Sequence, residues 1–425
     1  MQTASRFVAL FLACATASWL VAQEPLPVIK VEHGPNSPAQ QAKHYVILVS
    51  FDGYRYDYAR KYGAANLLDL ASRGASAPNG MTPSYPSITF PNHYSLVTGL
   101  YPEHHGIVAM SFYDPIRKQT YSYNNPATFP DGSWYGGTPL WVLAEKQGMR
   151  TACFFWPGSE AEIQGMRPSY YLNYNESLRG EKRVDQVLEW LRLPPEQRPH
   201  FITLYFSEVD HAGHLFGPDS DQTREAVLHV DRFLGQLVAG LKELSLPVDL
   251  IVVADHGMER EQGPWINLDQ YADLSGFVTV GSLLYAPSDA AADKAFESLR
   301  NASDKFRVYR RTDMPFSLHY DSDPRAGDPI VVPTGPYAIR ALSKTGAANR
   351  PPNTGVHGYD PQAMQSMQAV FAAAGPDIRP GVTLPPFKNI SVFPLIEKLL
   401  DLQTIPVDGD IEAVSSVLSN DKGGR

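Results

Sequence analysis

Three groupings of acids and imidazoles carry the residue types and spacings that metal chemistry needs. Asp210-His211-Ala212-Gly213-His214 sets Asp210 and His214 four residues apart, and Asp255-His256-Gly257 joins an acid directly to an imidazole. His357 lies in the glycine-flanked run Thr354-Gly355-Val356-His357-Gly358, and a further acid, Asp52, precedes Gly53. Carboxylate oxygen and imidazole nitrogen both ligate zinc, and mixed sets of the two are common where zinc is catalytic. A hydroxyl that could use such a metal is Thr89, in Ser84-Tyr85-Pro86-Ser87-Ile88-Thr89-Phe90-Pro91-Asn92-His93. Pro91 suits a first helical turn and Gly99 a helix end, which predicts a helix starting just after Thr89, with Thr89 as its cap. An anion such as a phosphoryl group would settle there, beside unpaired N–H groups and the positive end of the helix dipole. Taken singly, each of these residues reads as an ordinary cap or turn residue.

The elements that would position them give these residues a common address. Residues 45–51 form a continuous apolar run ending in Asp52; residues 201–206 lead to Asp210; residues 250–254 lead to Asp255. Runs of this kind suit central parallel strands buried on both faces. Amphipathic helical stretches at 184–193 and 224–244 alternate with them, which predicts an α/β fold: a doubly wound, mostly parallel central sheet with helices on both faces. In such sheets ligands bind beyond the carboxyl ends of the strands, where the three acids would gather. The expected organisation is a leader at 23–42, a catalytic core at 43–258 and 353–407, and a smaller insertion or cap at 259–352, where short strand-like runs sit among Pro, Gly, Asp and Arg. A helix around 362–374, a returning segment near 390–400 and a loose polar tail at 408–425 complete it.

Composition narrows the function. A chain of 425 residues with 43% hydrophobic content can bury a large core. A net charge of −9 without Lys/Arg runs argues against duplex nucleic-acid or anionic-membrane binding, so an anionic substrate would need local positive charge, for which metal ions are the obvious source. Residues 1–22 read as a secretory signal, with Arg6, an apolar run and small residues before Ala22, which predicts an exported protein with no stable membrane span once it is removed. Cys153 would then be the only cysteine, leaving no internal disulfide.

Several motifs together strongly resemble the nucleotide pyrophosphatase/phosphodiesterase family of the alkaline phosphatase superfamily. They are Asp52-Gly53, Ser87 to His93, Thr98-Gly99-Leu100-Tyr101-Pro102-Glu103, His105-Gly106-Ile107-Val108, Phe154-Phe155-Trp156-Pro157-Gly158-Ser159, Asp210 with His214, Asp255-His256-Gly257-Met258 and His357-Gly358-Tyr359, in order along the chain. The resemblance implies an alkaline phosphatase-like fold, small-molecule nucleotide substrates and two Zn2+ ions. Asp210, His214 and His357 would match the ligands of the metal on the water side; Asp52, Asp255, His256 and the Thr89 oxygen would match those of the metal that activates the nucleophile. Thr89 would attack phosphorus and form a covalent phospho-threonine, releasing nucleoside monophosphates. Phe90 and Tyr174 match the two aromatics between which the family stacks a nucleobase.

One position departs from the pattern. Met110 stands where the family usually has an Asn whose amide donates to a phosphoryl oxygen, and a thioether has no such donor. Losing one preorganised donor commonly costs about 10²–10³ in turnover. That departure leaves open a related hydrolase acting on phosphomonoesters, phosphonates or lipid-headgroup diesters, and a zinc-binding homologue with weakened activity. His93, His104, His105, His211 and His229 are expected to pack or hydrogen-bond rather than ligate.

Overall fold

The computed structural model describes residues 26–341 and 354–419; the signal-like segment 1–22 lies outside them. The central sheet has nine strands. In chain order they are β1 (Ile29–Lys30), β2 (Tyr45–Phe51), β3 (Ala75–Ser76), β4 (Thr151–Phe154), β5 (Tyr170–Leu172), β6 (Phe201–Phe206), β7 (Val248–Val253), β8 (Phe371–Ala374) and β9 (Val382–Thr383). Across the sheet the order is β1-β5-β4-β6-β2-β7-β8-β3-β9. From β5 to β7 every neighbour is parallel, with Leu48 of β2 opposite Thr203 of β6 and Ile251 of β7. Every residue of β2, β6 and β7 is buried, so both faces are covered, as an α/β sheet requires.

The helices used below are α1 (Ala65–Arg73), α2 (Thr89–Thr98), α3 (Gly180–Leu191), α4 (Glu208–Phe216), α5 (Asp221–Leu244) and α6 (Val392–Leu399). β6, β2 and β7 are adjacent and parallel, so their carboxyl ends share one rim. Asp52 follows β2 directly, Asp255 comes two residues after β7, and β6 passes through Ser207 into α4.

Four expectations are corrected. No helix spans residues 362–374: a 3-10 turn at Gln365–Met367 leads into β8, antiparallel to β7. Phe371-Ala372-Ala373-Ala374 is wholly buried, and a short apolar run has no period of its own to choose helix over strand. Alanine's helix preference over ordinary residues is at most about 0.7 kcal/mol each, which two-sided sheet pairing with β7 and β3 overrides. The tail is docked as far as Ser419: Val414 and Val417 are fully buried, and the Ser419 N–H donates to the Asp377 carbonyl. The described part of the leader contributes β1, paired antiparallel to β5 at the sheet edge. Thr89 is the first residue of α2 rather than its cap; that place belongs to Ile88, in an extended conformation. Pro91 is thus the third helical residue, where a missing N–H still costs nothing.

Residues between 266 and 341 assemble a second apolar cluster, including Leu268, Leu284, Leu299 and Phe306. A hairpin of Val278–Val280 with Leu283–Tyr285 and a ladder of Phe306–Tyr309 with Ile330–Pro333 frame it. Cys153 is buried in β4 as a free thiol. Among the described residues no helix is long and apolar enough to cross a membrane.

Candidate metal and phosphoryl site

Glycine lets the acid- and imidazole-bearing segments approach one another. Gly53 turns the chain after Asp52 at a φ of 68°, and a Cβ there would come within 2.9 Å of the Asp210 Cα. Gly355 lies against α4, where a Cβ would fall 2.3 Å from the Gly213 carbonyl oxygen. The Asp52 turn and the His357 loop are thereby both pressed against α4.

On α4, Asp210 and His214 share a face at i,i+4, with the His214 Nε2 3.4 Å from the Asp210 Oδ1. His357 Nε2 lies 3.6 Å from the same oxygen and 3.1 Å from His214 Nε2. Across the rim, His256 Nε2 is 2.9 Å from the Asp255 Oδ2, 3.6 Å from the Asp52 Oδ1 and 3.3 Å from the Thr89 hydroxyl. The His256 and His357 rings stack at 3.6 Å, joining the two halves. Asp210, His214 and His357 converge as one ligand-type cluster; Asp52, Asp210 and His256 form a second, and Asp52, His93 and Asp255 a third.

Two features fit this donor set to cations. First, Asp52 Oδ1 and Asp210 Oδ1 are buried without a hydrogen-bond partner, and Asp255 Oδ2 faces the His256 ring, at 2.9 Å. Unpartnered oxygens are expensive in the interior, and a cation held by each group of ligands would relieve them. Second, each histidine is tied through Nδ1 to a backbone carbonyl: His214 to Gly355 at 2.7 Å, His357 to Ser87 at 3.0 Å and His256 to Gly257 at 2.8 Å. Donation from Nδ1 leaves the Nε2 lone pair facing the cluster, the arrangement found behind metal-bound imidazoles.

The crowding of charge shows in the titration of these groups. Burial, then Asp255 and Asp210, push the Asp52 carboxyl well above its ordinary range. Burial pushes Asp255 the same way, but His256 and His93 outweigh it and hold Asp255 low. Burial disfavours the charged form of His256, yet Asp255 keeps its pKa raised. His357 is held well below the usual imidazole range by burial and by His256 and His214, so it offers a neutral ring.

His93, read from the sequence as a packing residue, sits inside the site with both nitrogens engaged. Nε2 is 2.8 Å from Ser50 Oγ and Nδ1 is 3.0 Å from the Thr89 carbonyl. It braces the backbone of Thr89 and has no lone pair to spare. The sequence reading missed Tyr205, whose hydroxyl donates to Asp52 Oδ2; its signal was a polar tip near the end of an apolar strand. His211 turns outward to Glu176, His104 bonds Asp408, His105 bonds Ser95, and His229 packs on Phe233.

Phe90 packs against Tyr123 and Phe129, whereas Tyr174, 44% exposed, packs against Phe155 and Tyr205. The Phe90 N–H, in the first turn of α2, donates to the Met110 sulfur at 3.4 Å. Ile88 gives that helix no side-chain cap.

Comparison with known proteins bears on this arrangement. The family profile for type I phosphodiesterase / nucleotide pyrophosphatase matches residues 46–360. The chain belongs to that family. The human ectonucleotide pyrophosphatase/phosphodiesterase family member 1 is 36% identical over 425 residues, covering 95% of this chain and 44% of that protein. An uncharacterised pyrophosphatase/phosphodiesterase of Schizosaccharomyces pombe is 35% identical over 393 residues, covering 88% of this chain and 80% of that protein. This member of the family thus spans under half the length of its human relative. Its fold matches that of murine ectonucleotide pyrophosphatase/phosphodiesterase 5, solved as an inactive variant in complex with AMP, with a TM-score of 0.82 and 31% identity over 89% of this chain and 100% of the other.

Proposed function

We propose that this chain is a two-zinc phosphodiesterase and pyrophosphatase that cleaves nucleotide substrates through a covalent phospho-threonine at Thr89. Asp210, His214 and His357 would hold one zinc ion, and Asp52, Asp255, His256 and the Thr89 oxygen the other. When bound, such a pair lowers the pKa of a hydroxyl or water and offsets charge on the leaving oxygen. The carrying observation is the Thr89 hydroxyl 3.3 Å from His256, beside Asp52 and Asp210, each with a buried oxygen that has no hydrogen-bond partner.

The chain's own residues then do the following. His93 fixes the Thr89 carbonyl, so the hydroxyl leaves the start of α2 in a set direction. Tyr205 orients Asp52 through its hydroxyl. Thr89 Oγ bonds to phosphorus as the bond to the leaving oxygen breaks; water later cleaves the Oγ–P bond and releases a nucleoside monophosphate. Phe90 and Tyr174 supply aromatic faces for a base, which tolerates several bases because each has a π face. The AMP in complex with the murine neighbour supports a nucleotide as ligand. The signal-like segment 1–22 and the "ecto" in the names of the human and murine relatives support export.

The test is metal content together with hydrolysis of a nitrophenyl nucleotide diester and of nitrophenyl phosphate, repeated for Thr89→Ala. Diester turnover with bound zinc, abolished in Thr89→Ala, is expected; activity surviving that substitution rejects the covalent mechanism. Met110 favours a second reading, a zinc-binding homologue with weakened phosphoryl stabilisation, for which bound zinc with negligible turnover would be the signature.

A further inference from the structure

A cavity of about 430 Å³ opens beside the site, between the core and the inserted region. Its core wall includes Ile88, Met110 and His357; the facing wall includes Trp265, Leu283 and Tyr337. Its volume lies within the range of small-molecule pockets, about 300–1,000 Å³. Three features define what it can hold. Among the described residues lining it there is no Lys, Arg, Asp or Glu. Arg340 lies against the Trp265 ring without itself being part of the lining. Phe90 and Tyr174 are also outside the lining, so this cavity is separate from the aromatic faces assigned to a base.

Position then gives it a role. In an in-line displacement the leaving oxygen departs opposite the nucleophile. Thr89 approaches from the His256 side. The other ligand-type group is Asp210, His214 and His357, and His357 is also a wall of the cavity. We infer that this cavity receives the leaving group, and that it selects an uncharged, largely apolar or aromatic alcohol over a polyanion such as pyrophosphate. The inference rests on the hydrolase reading given above. In the step concerned, the Thr89 Oγ–P bond forms, the P–O bond to the alcohol breaks with its electron pair on oxygen, and the departing alkoxide takes a proton from water.

The test holds the AMP half constant and varies only the alcohol. AMP methyl ester and AMP 3-phenylpropyl ester have leaving groups of similar basicity, so a difference in kcat/KM reports the pocket rather than the chemistry. Since a pocket distinguishes even a single methylene by about tenfold or more, the phenylpropyl ester is expected to be favoured by at least about that factor. Leu283→Lys should collapse the ratio and raise the relative rate on ATP. Val280→Lys, in the same lining, repeats the test should Leu283→Lys misfold. Equal kcat/KM for the two esters, with zinc bound and both turned over, overturns the leaving-group assignment while leaving the hydrolase reading standing. No turnover of either ester alongside turnover of ATP likewise overturns the assignment alone, and no turnover of any of the three by the zinc-loaded protein overturns both.

Discussion

Met110→Asn is the substitution that most directly probes the proposed phosphoryl pocket. The Met110 sulfur accepts the Phe90 N–H at 3.4 Å, one residue along from the proposed nucleophile. A thioether is a weak acceptor and no donor, so this contact occupies a helix-start N–H that could otherwise face a phosphoryl oxygen. Asn fits the same reach: its amide nitrogen and oxygen are as many bonds from Cα as the methionine sulfur. The amide oxygen could take over the Phe90 N–H while the NH2 points toward the phosphoryl group, adding one preorganised donor. A donor of that kind is worth about 10²–10³ in kcat, or ~2.7–4 kcal/mol of barrier. The Met110→Asn variant is therefore expected to turn over a nitrophenyl nucleotide diester about a hundredfold faster, with zinc content and melting temperature close to those of the parent. Steady-state kinetics on zinc-loaded protein provides the measurement. An unchanged or lower kcat at full metal occupancy would refute the reasoning, and would mean that another group already fills the donor's place.

The second sphere should be as sensitive as the first. In Gly355→Ala the new Cβ would meet the Gly213 carbonyl at 2.3 Å and displace the Gly355 carbonyl that holds His214; zinc affinity by competition titration should fall about 10–100-fold, and an unaltered affinity would contradict the packing argument. Metal removal by a chelator should lower the melting temperature and zinc should restore it, since a ligand at about 100 times its Kd adds ~2.7 kcal/mol of stability; identical melting with and without zinc would count against the cluster as a metal site. Burial lowers the pKa of His105 to about 3 and of His200 to about 4. Both lie below the unfolded value of about 6.5, so the unfolded chain binds more protons in that window. Their contribution is complete above about pH 6.5 and is lost as the pH falls toward 4. His200→Gln should accordingly show a smaller drop in urea midpoint between about pH 7 and about pH 5 than the parent; equal drops would remove His200 from the acid response.

How far the sequence could be read follows from where each kind of information resides. The strands that carry the site were legible because β2, β6 and β7 are buried on both faces, and such burial writes itself as an unbroken apolar run. The acids beyond them were legible because few other residues can follow such a run and still be of use at a sheet rim. β8 was not, because Phe-Ala-Ala-Ala carries no period and its identity as a strand comes from β7 and β3 on either side. The docked tail escaped for a related reason: Val414 and Val417, with partly buried Ile411, Ala413 and Leu418, anchor it without a regular period.

At the site itself the division is chemical. Carboxylates and imidazoles suggest a metal by type and spacing together, and the geometry brings together all six of those singled out, with the Thr89 hydroxyl among them. The residues that aim them do not announce themselves. His93 has the same chemistry as the ligand-type histidines and differs only in having both nitrogens spent, on Ser50 and on the Thr89 carbonyl. Tyr205 resembles any strand tyrosine until its hydroxyl is found on Asp52. Gly355 looks like a turn residue, yet its carbonyl sets the ring of His214 and its missing side chain admits α4. Orientation is a property of pairs brought together across the fold, so it stays invisible until the chain is folded, while composition of the donor set is visible from the start. For this reason a substitution at His93, Tyr205 or Gly355 should disturb function through the position of its neighbour rather than through loss of its own chemistry.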